Sequence, residues 1–178
     1  MDSFYYNLLN IGKKSMSEDE YLNKIKEVID DETKLSKEYN ENLDRLCKVI
    51  STNINSHLKD LNIDSKIVNT KDLFNIYEHQ FIISSYMDND SNINYYLIDP
   101  TYSQFKHKDE FDFEAIYPAD ILNKTEEGKL LLNNLLNSGY SKINDNDLKR
   151  YIGSIMYEED INKIDITIED IMLERTIK

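Results

Sequence analysis

The stretch "YEHQFIISSYMDNDSNINYYLIDPTYSQF", residues 77–105, contains the pattern that decides the fold. Two runs rich in β-branched and aromatic residues, 78–87 and 92–99, predict strands, and the polar segment "DNDS" between them has turn-forming residues. Pro100 fits the end of the second strand, because proline cannot donate a hydrogen bond to a sheet. The stretch therefore predicts an antiparallel hairpin.

Helical patterns lie upstream of this hairpin. Residues 17–30 begin with the capping-box pattern Ser-x-x-Glu and continue with apolar residues at helical spacing. Apolar positions three and four residues apart predict a second helix over about 42–61, with Asn42 as its N-cap or with an earlier start around Lys34. Residues 65–70 predict a short strand between this helix and the hairpin.

Helical periodicity returns after Pro118. Gly139 is predicted to end one helix as its C-cap, "NDNDLKRYIGSIMYEE" opens with capping residues, and "TIEDIMLERTI" predicts a last short helix. The order of helices, a small antiparallel sheet and further helices defines the α+β class. No linker rich in Pro, Gly or Ser interrupts the chain, which predicts one domain over 1–178. Its parts are N-terminal helices (about 1–40), a core (41–105) and a mostly helical part (106–178).

The composition excludes several classes of function. The formal charge of −13 disfavours nucleic-acid and anionic-membrane surfaces, because phosphates would be repelled. A single cysteine cannot form an internal disulfide, and no apolar run reaches the roughly 20 residues of a membrane span. The start "MDSFYYNLLN" lacks a signal-peptide pattern, so a cytoplasmic location is expected, although non-classical export would leave no trace in the sequence.

The hairpin carries a histidine and an aspartate at matching ends. A five-residue loop over 87–91 would place Tyr86 opposite Asn92, and the same register places His79 opposite Asp99 on one face. Their Cβ atoms would then lie roughly 5 Å apart. A four-residue loop would shift the pairing by one and separate the two side chains.

These residues and Cys47 together have the chemistry of a nucleophilic triad. A histidine can take the proton of a thiol and stabilise the thiolate, and a carboxylate can orient the histidine. Cys47 is predicted near the beginning of a helix, where amide dipoles favour a thiolate and backbone N–H groups can bind an oxyanion. The chain order would be Cys47, His79, Asp99.

This order on helix, strand and neighbouring strand resembles the transglutaminase-like branch of the papain-like Cys-His-Asp superfamily, which includes bacterial glutamine deamidases. The resemblance rests on Cys47, on "HQF" from His79 and on "YYLIDPTYSQF", and it covers about residues 43–105. The neighbours of the cysteine, Leu46 and Lys48, differ from the glycine and aromatic residue that many members have there. The resemblance implies a papain-like core in which the cysteine helix packs on a small antiparallel sheet, flanked by N- and C-terminal helices.

The same resemblance implies a cysteine-dependent acyl-transfer enzyme that acts on an amide through a thioester. Cys47 would attack, His79 would move the proton and Asp99 would orient His79. Gln104 is a candidate to donate to an oxyanion or to orient the substrate. A protein or peptide substrate and no cofactor are expected. Water as acceptor would give a deamidase or protease, and an amine would give a transglutaminase; the acceptor and the oligomeric state are left open.

Other interpretations of the same residues have to be tested against this one. Cys47 lies on the apolar stripe of its helix, where a buried structural cysteine is common, and Asp99 before proline is typical of a turn. The alternative function is a non-catalytic acidic interaction or immunity-type protein on the same fold, docking a basic partner. His57 and His107 lie among polar residues, and the histidines and cysteine lack the spacing of zinc ligands, so no metal site is predicted.

Overall fold

A computed structural model of the chain describes residues 16–39, 46–74, 78–106 and 116–174. Its strands are β1 (Ser65–Asn69), β2 (Gln80–Met87), β3 (Ile93–Ile98) and β4 (Tyr140–Ile143). Its helices are α1 (Glu18–Tyr39), α2 (Cys47–Asp60), α3 (Thr70–Phe74), α4 (Pro118–Leu122), α5 (Glu126–Ser138), α6 (Asp145–Met156) and α7 (Ile168–Met172), with 3₁₀ turns at Tyr102–Lys106 and Ile161–Lys163. The class is α+β, as the sequence predicts.

The strands form one antiparallel sheet in the order β1-β2-β3-β4. The predicted hairpin is present, but its register differs: Tyr86 pairs with Asn94 rather than Asn92. The reason lies in the turn, where one oxygen of Asp88 accepts the N–H groups of Asp90 and Asn92, each over 2.9 Å. The loop is therefore displaced by one residue, and every partner moves by two positions. Because side chains alternate with a period of two, the residues keep their predicted faces.

Apolar side chains cover both faces of the sheet. Ile82, Tyr96 and Ile98 pack against the layer formed by α1 and α2. Phe81, Ile83 and Leu97 pack against the C-terminal helices on the opposite face. A helical layer covers each face of the sheet, so the central strands β2 and β3 are covered on both sides. The sheet thereby fixes the position of one helical layer relative to the other.

Several predicted helix ends are confirmed, although α1 continues to Tyr39, beyond the predicted stretch 17–30. Ser17 and Glu20 form the capping box of α1, since each accepts the other's backbone N–H. Gly139 ends α5 in the left-handed region with φ of 77°. The second helix differs from its predicted start: α2 begins at Cys47, and its N-cap Leu46 makes no side-chain hydrogen bond. Asn42, the predicted cap, lies outside the described residues. Cys47 is thus the first residue of the helix.

Among the described residues, no helix is both long enough and apolar enough to span a bilayer.

A single cooperative thermal transition is expected for the whole chain. The reason is that both helical layers pack on β2 and β3, so loss of either layer exposes apolar surface of the same strands. Differential scanning calorimetry, with circular dichroism at the same concentration, tests this expectation. Two separated transitions would show that the chain contains independently folding parts and would contradict the prediction of one domain over 1–178.

Candidate active site

His79 lies directly before β2, and its backbone is fixed by Thr70. The N–H of His79 donates to Thr70 Oγ1 over 2.9 Å, and the N–H of Thr70 donates to the carbonyl of His79 over 3.0 Å. The imidazole is 1% exposed, and the ring of Phe105 meets it edge-on at a centroid distance of 4.9 Å. The ring is therefore held in one orientation by its surroundings.

Asp99 follows β3 directly and contacts His79. Nε2 of His79 donates to Oδ2 of Asp99 over 2.7 Å, so the predicted hydrogen-bonding contact is present. The predicted pairing of the two residues is wrong, however. The observed register pairs Ile82 with Ile98, and its continuation places His79 beside Thr101. The contact is diagonal, and both residues stand on the face covered by the C-terminal helices because they share their faces with Phe81 and Leu97.

The carboxylate of Asp99 is completely buried and saturated with hydrogen bonds. Oδ1 accepts the N–H of Thr101 at 3.2 Å and its hydroxyl at 2.8 Å. Oδ2 accepts His79 and also the hydroxyl of Tyr151, which lies 2.6 Å away. A carboxylate offers about four lone-pair sites, so this set of donors fixes its position and compensates its burial.

Cys47 approaches the same imidazole from the first turn of α2. Its thiol is half-buried, and His79 acts on it strongly enough to lower its pKa. The hydroxyl of Ser51, one turn further along the helix, donates to the carbonyl of Gln80 over 3.2 Å and docks this end of α2 on the start of β2. Because Nε2 of His79 is used by Asp99, Nδ1 is the nitrogen available to the thiol.

The electrostatics of the site favour a thiolate beside an imidazolium. Burial raises the pKa of the Cys47 thiol, but the hydrogen bonds from His79 and from the backbone N–H of Gln80 more than offset it, so the net pKa is lowered. Burial lowers the pKa of His79, and the charge and hydrogen bond of Asp99, with those of Cys47, raise the net pKa to about 9. Each group thus stabilises the charged form of the other.

Two kinds of donor lie near Cys47 or His79. α2 begins at Cys47, so the first amide N–H groups of the helix have no acceptor within the helix. Gln104, in the 3₁₀ turn that follows Asp99, places Nε2 at 3.5 Å from Nδ1 of His79. The structure thus brings Gln104 to the same imidazole as Cys47 and Asp99, which the sequence alone leaves undecided.

The remaining histidines lie elsewhere. Nδ1 of His57 is 3.7 Å from a carboxylate oxygen of Glu32, and His107 lies outside the described residues. Within the described part of the chain, no group of three or more His, Cys, Asp and Glu side chains is placed to hold a metal ion.

The fold and the site together define an α+β protein in which half-buried Cys47 and the buried His79 and Asp99 meet at one end of the sheet. Comparison of the chain with models of protein families, with curated proteins and with solved structures gives no match.

Proposed function

We propose that the chain is a cysteine-dependent acyl-transfer enzyme that acts on an amide. The observation that supports this most directly is the hydrogen bond between His79 and Asp99, together with the action of the same imidazole on the Cys47 thiol, whose pKa it lowers. His79 is 1% exposed and Asp99 is 0% exposed, whereas Cys47 is half-buried. The proposal requires that a substrate reach the sulfur, which the intermediate burial of Cys47 permits, while the groups that control its proton are buried.

The proposed chemistry begins with attack of the Cys47 thiolate on the amide carbonyl carbon. The carbonyl electrons move to oxygen, and the resulting oxyanion is bound by amide N–H groups of the first turn of α2 and by Gln104. As the tetrahedral intermediate collapses, His79 gives its Nδ1 proton to the nitrogen that leaves, and a thioester on Cys47 is formed. His79 then takes a proton from the acceptor, which attacks the thioester and returns the sulfur as thiolate.

The acceptor decides the class of activity. Water gives a protein glutamine deamidase or a protease, depending on whether ammonia or a peptide amine left in the first step, and an amine gives a transglutaminase. The transglutaminase-like resemblance of residues 43–105 supports a papain-like catalytic core in this chain. It also supports a protein or peptide as the substrate. Cys47 at the start of a helix, with His79 directly before β2 and Asp99 directly after the neighbouring strand β3, agrees with this proposal.

Rapid alkylation of native Cys47 is the result expected from the lowered pKa of its thiol. An unperturbed thiol with a pKa of about 8.5 is roughly 1% thiolate at pH 6.5, so a lowered pKa increases the fraction of thiolate in the native protein. A thiolate of lower basicity is also a weaker nucleophile, so we expect a net acceleration of about tenfold over the unfolded chain. The measurement is the rate of iodoacetamide labelling at pH 6.5, with and without urea.

The unfolded chain is the matched control, because it presents the same single cysteine without His79 beside it. A native thiol that reacts more slowly than the unfolded one at pH 6.5 would contradict the proposal. It would favour the alternative, a non-catalytic acidic interaction protein in which Cys47 is part of the core.

A further inference from the structure

Tyr151 is brought to the Asp99–His79 pair from α6, a helix distant in sequence. Its side chain is 0% exposed, its hydroxyl lies 2.6 Å from Asp99 Oδ2 and the same oxygen lies 3.2 Å from His79 Nε2. The three polar atoms thus form a closed triangle in the interior of the protein. Such a contact between a neutral hydroxyl and a buried ionisable pair has to influence how that pair shares its proton.

We propose that Tyr151 is a positioning residue of this site, whose hydroxyl controls the hydrogen bonding between Asp99 and His79; the proposal rests on the function proposed above. A carboxylate can only accept, so the proton of the Tyr151 hydroxyl is directed at Oδ2. The lone pairs of the hydroxyl are then turned towards Nε2 of His79. Both neighbours of Nε2 are acceptors, which holds a proton on Nε2 and presents Nδ1 to Cys47.

The hydroxyl of Tyr151 also weakens the attraction of the Asp99 carboxylate for the proton on His79. A hydrogen bond to a carboxylate stabilises its negative charge and so weakens its attraction for a proton on His79. The opposing contribution, acceptance of the Nε2 proton by the hydroxyl oxygen, is weaker, because that separation is 3.2 Å against 2.6 Å for the bond to Asp99. The net effect of Tyr151 is an imidazolium that gives up its proton more easily, as protonation of the leaving amine requires.

Several side chains of the described residues face this imidazole. Asp99 faces it from the end of β3, Cys47 from the start of α2 and Tyr151 from α6, while the neutral Gln104 and Phe105 face it from the 3₁₀ turn. Burial, with the Asp99 charge and hydrogen bond, keeps the pKa of Tyr151 well above its ordinary value. Tyr151 therefore stays a neutral donor throughout the range in which His79 titrates.

The test is an NMR titration of isotopically labelled imidazoles in the wild type and in Tyr151→Phe. Loss of the hydroxyl is expected to raise the His79 midpoint from about 9 by about one pH unit, which corresponds to loss of part of one charge-assisted hydrogen bond. The chain has three histidines, so His57→Gln and His107→Gln variants assign the signals.

Tyr102→Phe is the matched control. Tyr102 is also 0% exposed and packs against Tyr151 with ring centroids 5.3 Å apart, but its hydroxyl bonds to Ser154 Oγ over 2.7 Å. This variant removes a buried hydroxyl beside the site but keeps the backbone hydrogen bond from Tyr102 to the Asp99 carbonyl and the hydroxyl of Tyr151 on the Asp99 carboxylate. Its His79 midpoint is expected to stay within about 0.2 pH unit of the wild type, whatever its stability.

An unchanged or lowered His79 midpoint in Tyr151→Phe overturns the proposal. If that variant does not fold, replacement of Tyr151 by 3-fluorotyrosine keeps the hydroxyl and makes it a stronger donor, so the midpoint is expected to fall; an unchanged or raised midpoint overturns the proposal equally. The titration needs no substrate. If the chain shows no enzyme activity, the His79 midpoints can therefore still be interpreted. If the midpoints do not change, the role proposed for Tyr151 is wrong, and the proposed enzyme activity is still to be tested separately.

Discussion

Replacing Cys47 by alanine is expected to abolish amide turnover, lowering it by about three orders of magnitude or more. The thiolate is the only group proposed to form a covalent bond with the substrate, so His79 and the oxyanion donors have nothing to activate without it. The measurements are ammonia release, cleavage of the peptide bond and hydroxamate formation with hydroxylamine. A blocked Gln-Gly dipeptide and an unfolded glutamine-containing protein serve as probes.

Cys47→Ser separates the catalytic thiol from a structural one. Serine keeps the shape but does not ionise near neutral pH, so turnover should fall nearly as far as with alanine. The half-buried thiol stands at the first residue of α2, so folding should change little. A core cysteine would behave in the opposite way: the buried hydroxyl would cost about 1–3 kcal/mol, and any turnover would persist. Melting temperatures of both variants, recorded beside the activities, distinguish the two cases.

The faces of the hairpin could be predicted from the sequence, but its register could not. Side chains alternate between the two faces along β2 and β3. A shift of the register by an even number of residues therefore keeps His79 and Asp99 on the same face of the sheet. The register depends instead on the side chain of Asp88, which accepts two N–H groups within the turn. That choice is made by one carboxylate, and a count of residues between the strands cannot reveal it.

β4 cannot be predicted from the local sequence, because its formation depends on tertiary contacts. The segment Tyr140–Ile143 has four residues, with Ser141 and Ile143 buried and Lys142 exposed, too short an alternation to outweigh the helices on either side. It becomes a strand by pairing with the open edge of β3, where Tyr95 faces Ile143. Local propensity contributes little to this strand.

The residues of the site can be predicted from the sequence only in part, for a related reason. Cys47, His79 and Asp99 stand at the ends of elements, where a polar side chain in an apolar pattern is conspicuous. Tyr151 lies on the buried face of α6 among Leu148, Ile152 and Ile155, so its position is typical of a core aromatic residue. The direction of its hydroxyl towards Asp99 is set by the packing of α6 on the sheet, which has no local signature.

Asp99→Asn is expected to lower amide turnover by about three to four orders of magnitude while leaving the fold in place. The backbone N–H of Thr101 points at one oxygen of residue 99 and cannot reverse, so the asparagine carbonyl must occupy that position. Its NH₂ group then faces Nε2 of His79. The imidazole has to accept there, which moves its proton to Nδ1, towards Cys47, and leaves no site for the thiol proton.

Thiol labelling tests this without a substrate. Iodoacetamide alkylation of native Asp99→Asn at pH 6.5 should slow to the rate of the unfolded chain, because the thiolate loses its imidazolium partner. Asp64→Asn is a suitable control: Asp64 accepts a hydrogen bond from Ser85 over 2.8 Å at an exposed position and has no contact with the site among its hydrogen bonds in the described residues. Alkylation that stays fast in Asp99→Asn would show that His79 activates Cys47 without the carboxylate. Asp99 would then be a structural acceptor for Thr101 and Tyr151, and the triad would reduce to a Cys47–His79 dyad.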